Sequence, residues 1–161
     1  MSKEAFSAAL DSAVPRWRDR REYPLVFAGF ERSRAWTQRE RVGGVVALAL
    51  GTAFEPESAL EDALDLRLDR VSARAAIDRG LRRTPAYNAK WVHASSARRV
   101  ADAFVACFGS DAEFLTNGYL WLSNEDTSGW TPLTSATFDT GIVAVDDAAA
   151  GILWLRTRTD A

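Results

Sequence analysis

The texture of this chain changes at Gly109. Before it, apolar residues recur at helical spacing; after it come short β-branched and aromatic runs broken by turn residues. Phe138 to Val145 and Gly151 to Thr157 are two β-rich runs joined by Asp146-Asp147-Ala148-Ala149-Ala150. Phe114 to Trp121 reads as a hairpin, because Asn117-Gly118 supplies the positive φ angles of a tight turn. Ser123 to Pro132 reads as a polar loop carrying Gly129-Trp130. This order predicts an α+β fold, mostly helical over the N-terminal two thirds and closed by a C-terminal antiparallel β-meander.

In the front part, Ser2 is placed to cap a helix with Phe6, Ala9, Leu10 and Ala13 on one face, ending near Pro15. Tyr23 to Phe30 suits a strand, with Pro24 at its start or on an edge. Val42 to Leu50 is apolar without a clear period, so it fits helix or strand. Pro56, Glu57, Glu61 and Asp62 signal a helix start, and Leu60, Leu64, Leu68, Val71 and Ala75 continue it toward Arg79, Arg82 and Arg83. Leu64, Leu66 and Leu68 also alternate, which allows a strand or a break near Leu66. Ser95 or Ser96 would cap a further helix over 97–108, with Val100, Phe104 and Cys107/Phe108 inward and Gly109 as its stop.

A length of 161 residues fits a single globular domain over 1–161, and 47% hydrophobic with 26% charged residues argues against wholesale disorder. The sequence offers no leader-like apolar segment near Met1, and its most apolar run, Val42 to Phe54, is too short and glycine-rich to span a bilayer. The single cysteine, Cys107, excludes an internal disulfide and suits a cytoplasmic setting. Arginine is abundant and lysine is confined to Lys3 and Lys90, a pattern read as GC-rich coding bias rather than selection for anion binding.

Charge is distributed unevenly. All basic residues but Arg156 and Arg158 lie at or before Arg99, whereas Asp102, Asp111, Glu113, Glu125, Asp126, Asp139, Asp146 and Asp147 follow it. A formal charge of −2 therefore hides a basic front and an acidic back, which bears on partners and encounter rather than on fold. The arginines around Trp17, Tyr23 and Trp36 have the residue types of a nucleic-acid surface. Asp19, Glu22, Glu31 and Glu40 lie among them and the pI is about 5.5, so a solvated, internally paired surface is the better reading.

No catalytic constellation stands out, and no catalytic residue is assigned. His93 and Cys107 are the only histidine and cysteine, which excludes the usual zinc site, and both are read as structural. The acids Glu125, Asp126, Asp139, Asp146 and Asp147 have oxygen ligands for a hard cation but lack a spaced calcium loop, and Asp146-Asp147 sits where a turn is expected. Gly43-Gly44 lacks the rest of a phosphate-binding loop. No metal, cofactor or membrane association is therefore expected. Trp130 in its polar loop, beside Glu125 and Asp126, has the make-up of an interface anchor.

Trp130-Thr131-Pro132-Leu133, Thr137-Phe138-Asp139, Gly141 to Asp146 and Gly151 to Trp154 together resemble the C-terminal sheet of small bacterial immunity-type proteins, which partner polymorphic or contact-dependent toxins. The resemblance covers the last quarter of the chain and is one of texture: strand, acidic turn, strand. The ending, Arg156-Thr157-Arg158-Thr159-Asp160, departs from the acidic ending such proteins often carry. It implies a non-catalytic binding protein whose partner is a cognate toxin domain, many such toxins being nucleases, neutralised by an acidic surface that occludes the active site. Glu125, Asp126, Trp130, Asp139, Asp146 and Asp147 would form that surface, as one contiguous negative face. The alternatives are a metal-dependent hydrolase built on Asp139 and its acidic neighbours, or a structural or regulatory binding protein.

Overall fold

The computed structural model describes residues 3–21, 25–32, 36–51, 60–83, 90–118, 133–134 and 138–157. Its order is α1 (Lys3–Ala13), β1 (Leu25–Arg32), α2 (Gln38–Leu50), α3 (Leu60–Ala63), β2 (Leu66–Leu68), α4 (Arg70–Arg82), α5 (Ala94–Val105), β3 (Glu113–Thr116), β4 (Phe138–Val145) and β5 (Ala149–Thr157). The fold is α+β. One antiparallel sheet runs β1-β5-β4-β3-β2, so the C-terminal meander β3-β4-β5 forms its centre and two strands from the front of the chain form its edges.

Helices cover both faces. On one, α1, α4 and α5 enclose Phe6, Leu10, Ile77, Leu81, Val100 and Phe104 against Phe114, Ile142, Leu153 and Leu155. Five phenylalanines, Phe6, Phe30, Phe104, Phe108 and Phe114, form a chain of edge-on, tilted and stacked contacts there, with the Phe6 and Phe104 ring centroids 5.3 Å apart. Each such pair contributes about 0.5–1.5 kcal/mol beyond the burial itself. On the other face, α2 and α3 bring Val42, Val45, Val46, Leu50, Ala63 and Leu64 onto Val143, Val145, Ile152 and Trp154. With both faces covered, β4 and β5 are apolar almost throughout instead of alternating.

α1 has the expected inward face of Phe6, Ala9 and Leu10, and β1 is an edge strand. Val42 to Leu50 is helix. Its start is a capping box in which the Thr37 hydroxyl accepts from Glu40 N (3.2 Å) and Glu40 Oε1 accepts from Thr37 N (3.0 Å). Gly51, at φ 50°, stops it.

Three expectations need correction. The continuous helix through Leu68 is broken: α3 ends at Ala63, Leu66–Leu68 is strand, and Asp69 caps α4 by accepting from Ser72 N at 2.7 Å. Val71, expected inward, is 77% exposed. The hairpin on Asn117-Gly118 is also excluded, because β3 already pairs with β2 on one side and β4 on the other. Finally, α5 starts at Ala94, capped by His93 rather than by Ser95 or Ser96.

Candidate functional site

Among the described residues, the members of the expected acidic face do not share one surface. Asp139 and Asp146 lie at opposite ends of β4, about 23 Å apart along an extended strand. Asp139 is fully buried. Its Oδ1 accepts from Trp154 Nε1 (2.5 Å), and its Oδ2 accepts from the backbone N–H groups of Leu133 (3.1 Å) and Thr134. Burial pushes its carboxyl above the usual carboxylate range, against the pull of those donors. Asp139 thus holds residues 133–134 onto the sheet and is unavailable to a partner or a metal. Trp154 lies in the core beneath it and across from Gly141.

Asp146 is a turn residue. Its carboxylate accepts from Ala148 N (2.9 Å) and Ala149 N (2.8 Å) within the β4–β5 turn, and from Gly109 N (3.0 Å) after α5. Burial raises its carboxyl, but the three N–H donors and the nearby Arg41 outweigh that, so it stays below the usual range. Only Asp147 of this pair is exposed. Glu125, Asp126 and Trp130 lie outside the described residues.

Arginines from the front of the chain interleave with the remaining acids. Arg74 pairs with Asp102, and Arg67 with Glu113 at 3.1 Å. In the basic front itself, Asp11 accepts from Trp17 Nε1 and from Arg18, whose guanidinium stacks 4.1 Å from the Trp17 ring, and Asp19 pairs with Arg21. These contacts take charge out of the surface that the sequence suggested.

What the fold does assemble is a groove at the Asp146–Asp147 end of the sheet, about 670 Å³ in volume. Its floor is Val42, Leu60, Leu64, Leu115 and Val145. Its rim is Gln38 and Arg39 from the start of α2, Asp65 and Arg67 around β2, and Glu113 from β3. Asp65 is exposed and Val145 leads directly into Asp146-Asp147. Sequence reasoning missed this site, because its residues come from four separate segments brought together by the β2–β3–β4 pairing. The Thr37–Glu40 capping box was the available signal that Gln38 and Arg39 open a helix.

The only histidine and cysteine have structural surroundings. His93 Nδ1 accepts from Ser95 N and lies 2.9 Å from Ser95 Oγ, forming the α5 cap. Cys107 Sγ donates to Ala103 O (3.2 Å), and burial pushes its thiol up, away from the reactive thiolate. Among the described residues no group of three or more His, Cys, Asp or Glu side chains is placed to hold a metal ion, and no helix is long and apolar enough to cross a membrane. Comparison with protein families, with curated proteins and with solved structures finds no match to this chain.

Proposed function

We propose that this chain is a non-catalytic binding protein of the immunity type, acting in the bacterial cytoplasm on a cognate toxin domain. The observation that carries the binding reading is the groove between α2, α3 and the β2–β3 edge. An apolar floor within a rim of charges of both signs has the composition of a protein-interface pocket, where one buried side chain anchors and the rim sets register. The resemblance of the C-terminal sheet to immunity-type proteins supplies the kind of partner. The part played by a broad acidic face passes here to a smaller set, Asp65, Glu113 and Asp147, beside an apolar anchor site. Occlusion of the toxin's active site by the docked surface would neutralise it with no chemistry by this chain.

The experiment is binding to any toxin domain encoded beside this chain's gene, read by association kinetics and by residual toxin activity. Gly43 lines the groove, and a Cβ added there meets nothing within 4 Å. Gly43→Phe therefore fills the groove without a clash at its root. It should weaken binding about tenfold or more while leaving the circular dichroism spectrum unchanged. Wild-type affinity in Gly43→Phe would overturn the groove as the site. Failure of the wild-type protein to bind or inhibit the toxin domain would overturn the immunity reading.

A further inference from the structure

At the opposite edge of the sheet, β1 presents main chain that no described strand pairs, beside a second groove. Its outward groups follow from the register. Asp146 N donates to Ala149 O (2.9 Å), which makes that pair hydrogen-bonded and assigns the odd-numbered residues of β5 to β4. The even-numbered residues of β5 then bond β1, through Ala150↔Glu31 and Ile152↔Gly29. The N–H and C=O groups of Val26, Ala28, Phe30 and Arg32 consequently point away from the sheet. Arg20 confirms the direction independently, because its guanidinium reaches the Val26 carbonyl at 2.7 Å. Among the described residues nothing bonds the outward groups of Ala28, Phe30 or Arg32.

The groove alongside, about 290 Å³, is lined by Phe6, Leu10 and Trp17 with Ala28, Gly29 and Phe30 of the strand itself. Lys3 stands at its mouth and Arg32 at the end of β1; both are exposed, and among the described residues neither has an ion-pair partner. Glu4 also lines the groove, whereas Glu31 leans to the other face, beside Gly44 of α2. Lys3 and Arg32 against Glu4 leave the groove side of this edge positive.

We propose that the β1 edge is a strand-addition site for an extended, acidic segment of a partner protein, which pairs with Ala28, Phe30 and Arg32 and lodges an apolar side chain against Phe6, Leu10 and Trp17. Main-chain groups spaced two residues apart are matched by another extended chain, and the adjoining apolar groove supplies selectivity for one side chain. The uncompensated Lys3 and Arg32 select acidic flanks. Val26 stays out of the pairing because Arg20 already occupies its carbonyl. This site is independent of the groove at β2 and stands or falls separately from it.

The test titrates the full chain with two end-blocked heptapeptides of alternating valine and threonine around a central leucine, one flanked by aspartates and the other by lysines. The aspartate-flanked peptide should bind and slow hydrogen exchange at the amides of Ala28, Phe30 and Arg32. The double reversal Lys3→Glu/Arg32→Glu should weaken that peptide about tenfold and favour the lysine-flanked one. Ala28→Pro removes an outward donor without touching the β5 ladder and should abolish protection at the edge. If Ala28→Pro unfolds the chain, the charge reversal decides alone. Equal binding of both peptides, or no protection at those amides, would overturn the proposal. Protection that appears without peptide and grows with protein concentration would overturn it in favour of pairing between two copies of the chain.

Discussion

Asp139 in β4 and Asp146 just past its end each accept three N–H donors, yet their carboxyl groups shift in opposite directions. At the Asp139 end, burial is complete and, among the described residues, no cation is among the groups that set its ionisation. At the Asp146 end, water still reaches the turn and Arg41 adds its field. The difference shows that a count of hydrogen bonds does not fix the charge state of a buried carboxyl; desolvation and the nearest cation decide it. It also separates two jobs. One end of the sheet is a locked core, and the other is a closed turn bordering an open, charged groove.

The largest effect expected is at the locked end. Asp139→Ala strands three donors and should cost about 3–5 kcal/mol. At about 2–4 °C per kcal/mol for a chain of this size, its thermal midpoint should fall by roughly 6–20 °C. Asp139→Asn should recover little, since both carboxylate oxygens accept N–H and an amide turns one of them into a donor. The pH dependence has a definite sign. A folded pKa raised above the unfolded one gives stability that is present in acid and lost as pH rises through the folded value. The deficit of Asp139→Asn relative to wild type should therefore be larger near pH 4 than at pH 7 in urea unfolding. A deficit under about 1 kcal/mol at both pH values would break the contrast between the two ends.

Asp146→Ala should cost less, about 1–2 kcal/mol at pH 7, because its donors lie near solvent that can replace the carboxylate. Here the sign reverses. A lowered folded pKa gives stability that is present above the unfolded value of about 3.9 and lost as pH falls through the folded one. The gap between Asp146→Asn and wild type should narrow as pH falls below the unfolded value and through the folded one, whereas that of Asp139→Asn should not. Parallel pH profiles for the two variants would mean that the two ends are electrostatically alike.

How legible this was from sequence follows the same division. α1, β1, β4 and β5 announce themselves because periodicity or β-branched content agrees with what each element buries. α2 was ambiguous because Gly43 and Gly44 blur its apolar stripe; Trp36 lies over Gly44, filling the space a side chain would take. The Thr37–Glu40 box was the readable signal. The leucine alternation at Leu64, Leu66 and Leu68 carried real information, yet the helical spacing through Val71 competed with it, and only the pairing of Leu66–Leu68 with β3 decides. The Asn117-Gly118 turn misled for a related reason: local turn chemistry cannot reveal that both sides of β3 are taken. The site residues were harder still. Aspartate at 139 looks like surface in sequence, and its donors from Leu133, Thr134 and Trp154 meet only in three dimensions.

The smallest stability effect belongs to the rim of the groove. Arg67 and Glu113 pair at 3.1 Å across β2 and β3, with side chains 72% and 35% exposed. Water and salt screen such a pair, and holding two long side chains together offsets part of the attraction, so Arg67→Ala should change stability by less than about 0.5 kcal/mol. Its effect should appear elsewhere. Without Arg67 the rim keeps Asp65 and Glu113 against Arg39, so the groove turns more acidic and a basic partner surface should associate faster, with a steeper salt dependence. The measurement pairs a urea midpoint with stopped-flow association to the proposed toxin partner at two ionic strengths. Unchanged stability with a faster, more salt-sensitive on-rate would assign the pair to encounter. A loss near 2 kcal/mol with an unchanged on-rate would make it part of the scaffold instead, and the open end of the sheet would then be as structural as the locked one.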